Sequence, residues 1–72
     1  MPPIEQMQLS RRERQIMDIL LEHGDSSAHE VLDKLPDPPS YSAVRALIAR
    51  LGSKELIVFR QKGNKHIYSV KL

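Results

Sequence analysis

The 72-residue sequence predicts a mostly helical domain closed by a small β-hairpin, in the order helix, helix, helix, hairpin. Three observations carry this expectation. Two S-x-x-E capping boxes, Ser10 to Glu13 and Ser27 to Glu30, each open a run with helical apolar spacing. Val44, Leu47, Ile48 and Leu51 recur at i, i+3, i+4 and i+7, which puts them on one buried stripe of a third helix. Beyond Leu56 the period shifts towards two on either side of Gly63-Asn64, residues that tolerate the positive φ of a short hairpin loop.

Taken in order, residues 1–8 read as a leader and residues 9–72 as the folded domain. Ser10 caps helix one, whose apolar face is Ile16, Ile19 and Leu20 and whose end falls near His23-Gly24, with Gly24 as a left-handed cap. Asp25-Ser26 is a short link holding at most a single bridge of strand. Ser27 caps helix two, where Ala28, Val31, Leu32 and Leu35 form the inner stripe. Pro36-Asp37-Pro38-Pro39 stops it, because proline lacks the N–H donor and pushes the preceding residue towards extended backbone. Ser40 is a candidate N-cap for helix three, from about Tyr41 to Lys54, and Gly52 either ends that helix or weakens its last turn. Strands Leu56–Gln61 and Lys65–Val70 follow, joined through Lys62-Gly63-Asn64. Leu56, Val58 and Arg60 share one strand face and Ile57, Phe59 and Gln61 the other; alternation does not decide which meets the core. The element order is that of a winged helix-turn-helix, three helices plus a two- or three-stranded wing. A plain three-helix bundle would leave the β-rich tail unexplained.

Composition narrows the function. A chain of this size buries a modest core, and with Phe59, Tyr41 and Tyr68 as its aromatics that core must come from Leu, Ile, Val and Met. The absence of Cys removes disulfides, thiolate metal sites and a cysteine nucleophile. No apolar run reaches the roughly 20 residues needed to span a bilayer, and the first residues do not read as a signal peptide. The expectation is a cytoplasmic protein with no membrane association. The net charge of +2 hides a division: residues 1–40 set four cations against eight acids, whereas residues 41–72 set seven cations against Glu55 alone, a net of +6. Such asymmetry points to a polyanion on the basic side, against the plainer reading of a solvated basic surface.

The third helix carries the chemistry. Opposite its buried stripe lie Ser42, Ala46, Ala49 and Ser53, with Arg45 and Arg50 on the shoulders. A small outer face lets a helix approach base-pair edges, and flanking arginines can reach phosphate or guanine. Arg45, with Tyr41 and Ser42 beside it, is the leading contact residue. Arg50 reads equally as a phosphate contact or as a partner for Glu55 or an acid of helix two. Lys62, Asn64 and Lys65 at the hairpin tip are candidates for backbone or minor-groove contact. Ser27 and His29 open helix two, where backbone N–H groups can hold a phosphate, although capping alone is the favoured reading of the pair. His23, His29 and His66 fall on separate elements without ligand spacing, so no metal or cofactor is expected. Ser27, His29 and Asp33 do not make a convincing triad in a domain with no glycine-rich loop or room for a pocket, and no enzymatic activity is expected.

From Leu9 to Val70 the sequence resembles the N-terminal domain of the penicillinase repressor (BlaI/MecI-type) transcriptional regulators. The resemblance rests on Leu9-Ser10 with Glu13, Ile16-Met17 and Ile19, on the block Tyr41 to Leu51, and on Lys54-Glu55-Leu56-Ile57 with Gly63 and Tyr68. It implies a DNA-binding repressor whose third helix reads a major groove, with Tyr41, Ser42, Ala43, Arg45, Ala46, Ala49 and Arg50 at the duplex. It also implies a homodimer on a pseudo-palindromic operator, with dimerisation supplied by a region that family members usually carry after the wing. The sequence departs from the family pattern at Ala43 and Ala46, where threonine is common, and at Glu55, Leu21 and Asn64, where glycine, tryptophan and arginine are common. Alanine can pack against a thymine methyl in place of the lost hydroxyl contacts. A winged-helix module that binds protein rather than DNA is the alternative.

Overall fold

The computed structural model describes residues 9–71; the leader expected at residues 1–8 lies outside the described residues. The elements are α1 (Arg11–His23), β1 (Ser26–Ser27), α2 (Ala28–Lys34), α3 (Tyr41–Ser53), β2 (Ile57–Lys62) and β3 (Lys65–Val70). Both capping boxes form. The Ser10 and Ser27 hydroxyls accept from the N–H of Glu13 and Glu30, and each glutamate carboxylate accepts in return from its serine's N–H. Ser40 caps α3 by accepting from the Ala43 N–H at 3.1 Å.

The sheet is antiparallel in the order β1-β3-β2. The expected link at Asp25-Ser26 is a two-residue strand one position later, with Ser26 opposite Tyr68 and Ser27 opposite Ile67. Pairing β1 with β3 ties the start of α2 to the hairpin. The core joins Ile16 and Leu20 of α1, Val31 of α2, Val44, Ile48 and Leu51 of α3, and Ile57 and Tyr68 of the sheet.

Four local expectations are corrected. Gly24 does close α1, but with φ 81 and ψ −159 it is in the extended positive-φ region that glycine occupies almost alone, not in a left-handed helical turn. Gly52 lies within α3, which ends one residue earlier than expected, at Ser53. β2 starts at Ile57, one residue late, because Leu56 is turned into the core and its carbonyl accepts from the Lys71 N–H at 3.0 Å. Lys62 is the last residue of β2 and pairs with Lys65, so the loop is Gly63-Asn64 alone. Of the two only Gly63 takes positive φ (61), as at the first central position of a type II′ turn.

The strand face left open by alternation resolves unevenly. Tyr68, cross-strand from Phe59, is buried, while Val58 and Phe59, on opposite faces of β2, are both exposed. β2 therefore leaves the core after Ile57, while β3 stays against it as far as Tyr68. At its base Glu55 adopts φ 60, a left-handed backbone that glycine enters without steric cost.

The proline connection is held from outside. Arg12 on α1 donates through Nη1 to the Pro36 carbonyl at 2.7 Å and through Nη2 to the Asp37 carbonyl at 2.6 Å. Asp37 has φ 44, a conformation that aspartate tolerates better than most side chains. The clamp sets the entry into α3. At the other end of α3, the Lys54 ammonium reaches the buried Glu13 carboxylate at 2.9 Å. The connection into α3 and the residue that caps its far end are thus both anchored to the first turn of α1.

Candidate nucleic-acid interface

The amphipathic register of α3 leaves Ser42, Arg45, Ala46, Ala49 and Arg50 exposed while Val44, Ile48 and Leu51 are buried; Ala43 is partly buried at the edge. Three elements meet at the front of this helix. Ser27 and His29 at the start of α2, Tyr41 and Arg45 on α3, and Asn64 and Lys65 at the hairpin tip line one hollow of about 360 Å³, with Tyr68 behind them. These are six of the residues expected at a ligand surface, drawn together from positions 27 to 65 by the β1–β3 pairing.

Within the hollow the His29 and Tyr41 rings stack, with centroids 4.3 Å apart and planes 18° apart. The Arg45 guanidinium carbon lies 5.8 Å from the Tyr41 ring centroid, and Arg45 Nη1 donates to the Tyr41 hydroxyl at 3.5 Å. That hydrogen bond raises the Arg45 pKa further above its ordinary value. Ser27 is buried and its hydroxyl is taken up by the Glu30 N–H, so it shapes the rim as a cap. Glu30 titrates below the usual carboxylate range because the Ser27 backbone and side chain hydrogen-bond its charged form, with Lys34 and Lys65 adding attraction.

The distribution of ion pairs is selective. Three cations of the basic half are neutralised: Lys54 by Glu13 at 2.9 Å, Arg60 by Asp25 at 2.9 Å, and Lys71 by Glu55 at 3.8 Å. Arg45, Arg50, Lys62 and Lys65 make no ion pair within 4.0 Å among the described residues, Lys65 feeling Glu30 only at longer range. The pairing of Arg50 with Glu55 or an acid of α2 that the sequence left open is not made. Lys62 and Lys65 also face each other across the hairpin as a directly opposed pair; like charges in that position repel and destabilise a hairpin unless an anion screens them.

The remaining expected residues lie outside the hollow. Ser42, Ala46 and Arg50 lie along the exposed side of α3, and Lys62 is exposed at the end of β2. Ala49 lines a second, more open hollow of about 660 Å³, where Gly52 and Ser53 of α3 face Val58 and Phe59 of β2. Phe59, 62% exposed, lies 4.9 Å from the His66 ring. Sequence reasoning assigned Phe59, His66 and Tyr68 no part in a site, since the signal that places them there is the cross-strand register. Among the described residues no group of three or more His, Asp or Glu side chains is arranged to hold a metal ion. No helix among them is long and apolar enough to cross a membrane.

No curated protein matches the chain. Among solved structures, Bordetella bronchiseptica BpsR, studied for the regulation of its DNA binding by 6-hydroxynicotinic acid, has a TM-score of 0.80 at 18% identity over 97% of this chain and 52% of that one. NMB1585, a MarR family regulator from Neisseria meningitidis, has a TM-score of 0.72 at 19% identity over 94% of this chain and 49% of that one. The chain spans about half the length of either neighbour. At such identities the likeness is one of fold, and that fold is the winged helix. The family description "Penicillinase repressor" matches residues 9–72, and with that span the chain belongs to the penicillinase repressor family of transcription regulators.

Proposed function

We propose that the protein is a sequence-specific double-stranded DNA-binding regulator that acts as a repressor. Helix α3 enters the major groove and the β2–β3 wing lies on the adjacent backbone. The observation that carries this reading is the set of four cations outside the ion pairs, Arg45, Arg50, Lys62 and Lys65, placed along α3 and at the wing tip. The small exposed side chains of Ser42, Ala46 and Ala49 lower the relief of the helix, so its backbone can come close to base edges. Ala43, at the margin, packs beside them. Ser27 and Asn64 complete the hollow in which a backbone phosphate would sit beside Arg45 and Lys65, and His29 forms its wall against Tyr41. The functional unit is a homodimer on a pseudo-palindromic operator, working in the cytoplasm, because two-fold symmetry doubles the contacts a single small domain makes.

With ~3–5 phosphate contacts per monomer, log K falls with log salt at a slope of roughly −3 to −4.5 per monomer bound. A fluorescence titration on operator duplex selected from a random pool checks this; association indifferent to salt would refute the reading. Replacing Arg45 with Ala weakens specific binding by ~1–3 kcal/mol if it reads guanine, and an unchanged titration would remove that assignment. The exposed apolar side chains of Val58 and Phe59, one on each face of β2, are the feature that a protein-contact module would use. Gel shifts at moderate salt with random and genomic fragments separate the two, since such a module leaves DNA unshifted.

A further inference from the structure

We propose that His29 is a positioning residue for sequence reading: by stacking on Tyr41 it fixes the ring that holds the Arg45 guanidinium at the front of α3. The inference rests on the DNA-binding reading above and deepens it by naming what sets specificity. An exposed arginine samples many rotamers, and each must be given up when the side chain docks on a base. Tyr41 and Arg45 are four residues apart on α3 and therefore neighbours on one face. Their hydrogen bond is long, at 3.5 Å, and it is the one side-chain hydrogen bond Arg45 makes among the described residues. So weak a bond holds the guanidinium only as well as the Tyr41 ring itself is held.

That ring is 36% exposed and sits at the first position of α3, where a side chain has no preceding helical turn to pack against. Its specific partner is the His29 ring, near-parallel at 4.3 Å. His29 makes no side-chain hydrogen bond among the described residues, so the stack is its main directed interaction. His29 is the second residue of α2, whose first turn is closed by the Ser27–Glu30 capping box. A chain of contacts thus runs from the first turn of α2 through two rings to the reading arginine. It also makes the relative placement of α2 and α3 a determinant of how Arg45 is presented.

A contact role and a positioning role for His29 differ in what they change. A residue that touches phosphate weakens all duplexes alike when removed, and lowers the salt slope where it carries a positive charge. A residue that orders Arg45 changes the ratio of affinities between sequences and leaves the salt slope alone. The test compares wild type, His29→Ala, His29→Phe and Tyr41→Ala on a duplex selected by the wild-type protein from a random pool and on a random-sequence duplex of equal length. His29→Ala and Tyr41→Ala are expected to cut the selectivity ratio by about 3- to 10-fold, the range of a stacked ring pair, with an unaltered salt slope. His29→Phe keeps an aromatic ring at the stack and restores the ratio. A second readout needs no DNA: in the free protein, His29→Ala shifts the NMR resonances of the Arg45 guanidinium Nε–H and of the Tyr41 ring. Equal weakening of both duplexes with a flattened slope, an unchanged ratio, or no rescue by phenylalanine would overturn the proposal. So would Arg45 resonances indifferent to the substitution. If wild type shifts no duplex, the DNA-binding reading fails by itself, and the Arg45 resonances still report whether His29 orders that side chain.

Discussion

Glu13 is the residue on which the most structure converges. Its side chain is 2% exposed; Oε1 accepts from the Ser10 N–H and Oε2 from the Lys54 ammonium, each at 2.9 Å. Burial pushes its pKa up, but the hydrogen bonds from Ser10 and Lys54 and the attraction of the ammonium outweigh it, leaving the pKa below the ordinary value. A carboxylate whose folded pKa is depressed contributes stability that is fully present above the unfolded pKa and is lost as pH falls through the folded one. Unfolding free energy is therefore expected to decline on acidification below the usual glutamate range. The Glu13→Gln variant, less stable at neutral pH, should show a shallower acid limb, which denaturant titrations at several pH values measure. Glu55 poses the converse case. Its left-handed backbone costs a non-glycine residue about 1–2 kcal/mol. Glu55→Gly relieves that cost but adds unfolded-state entropy, and the exposed 3.8 Å pair with Lys71 that it removes contributes little. The net expectation is a gain of roughly 0.5 kcal/mol, and a lower denaturation midpoint would contradict it.

At the scale of elements, α3 is positioned by its ends and shaped by its register. The Arg12 clamp and Ser40 set its start, and the Glu13–Lys54 pair holds its end. Gly52 is the weak point of the last turn. A Cβ built there meets no atom within 4 Å, so Gly52→Ala should raise stability by about 0.5–1 kcal/mol through helix propensity alone. A thermal melt checks this. A loss would mean that the second hollow closes on that position in solution.

At the scale of the whole molecule, charge is arranged against stability on one side. Three acids of the first half are taken up within the fold: Glu13 by the α1 cap and Lys54, Glu30 by the α2 cap, and Asp25 by Arg60. The wing tip is left with Lys62 opposed to Lys65. Lys62→Glu should convert that repulsion into attraction and stabilise the free protein by about 0.2–1 kcal/mol. The same change should weaken DNA binding and reduce the magnitude of the salt slope by more than one contact. Measuring melt and titration together tests whether the wing is tuned for a polyanion; a variant that gained stability and kept its affinity would show that it is not.

The sequence by itself determined what depends on near neighbours in the chain. Both capping boxes, the Ser40 cap, the stripe of α3, the proline stop and the two-strand hairpin are set by spacings of one to seven residues, and the match over residues 9–72 agrees with the resemblance read from them. Only the tertiary structure decided what depends on distant ones. The β1–β3 register brings residue 27 to residue 67, and so places His29, Tyr41, Arg45 and Lys65 around one hollow. The tertiary structure likewise brought Glu13 to Lys54 across 41 residues and Asp25 to Arg60. Periodicity reports which face of an element is apolar; it holds no information on which charged side chains from separate elements meet. For this reason the sequence could name the basic half, while the four cations left for a partner emerged only once the others were seen to be paired.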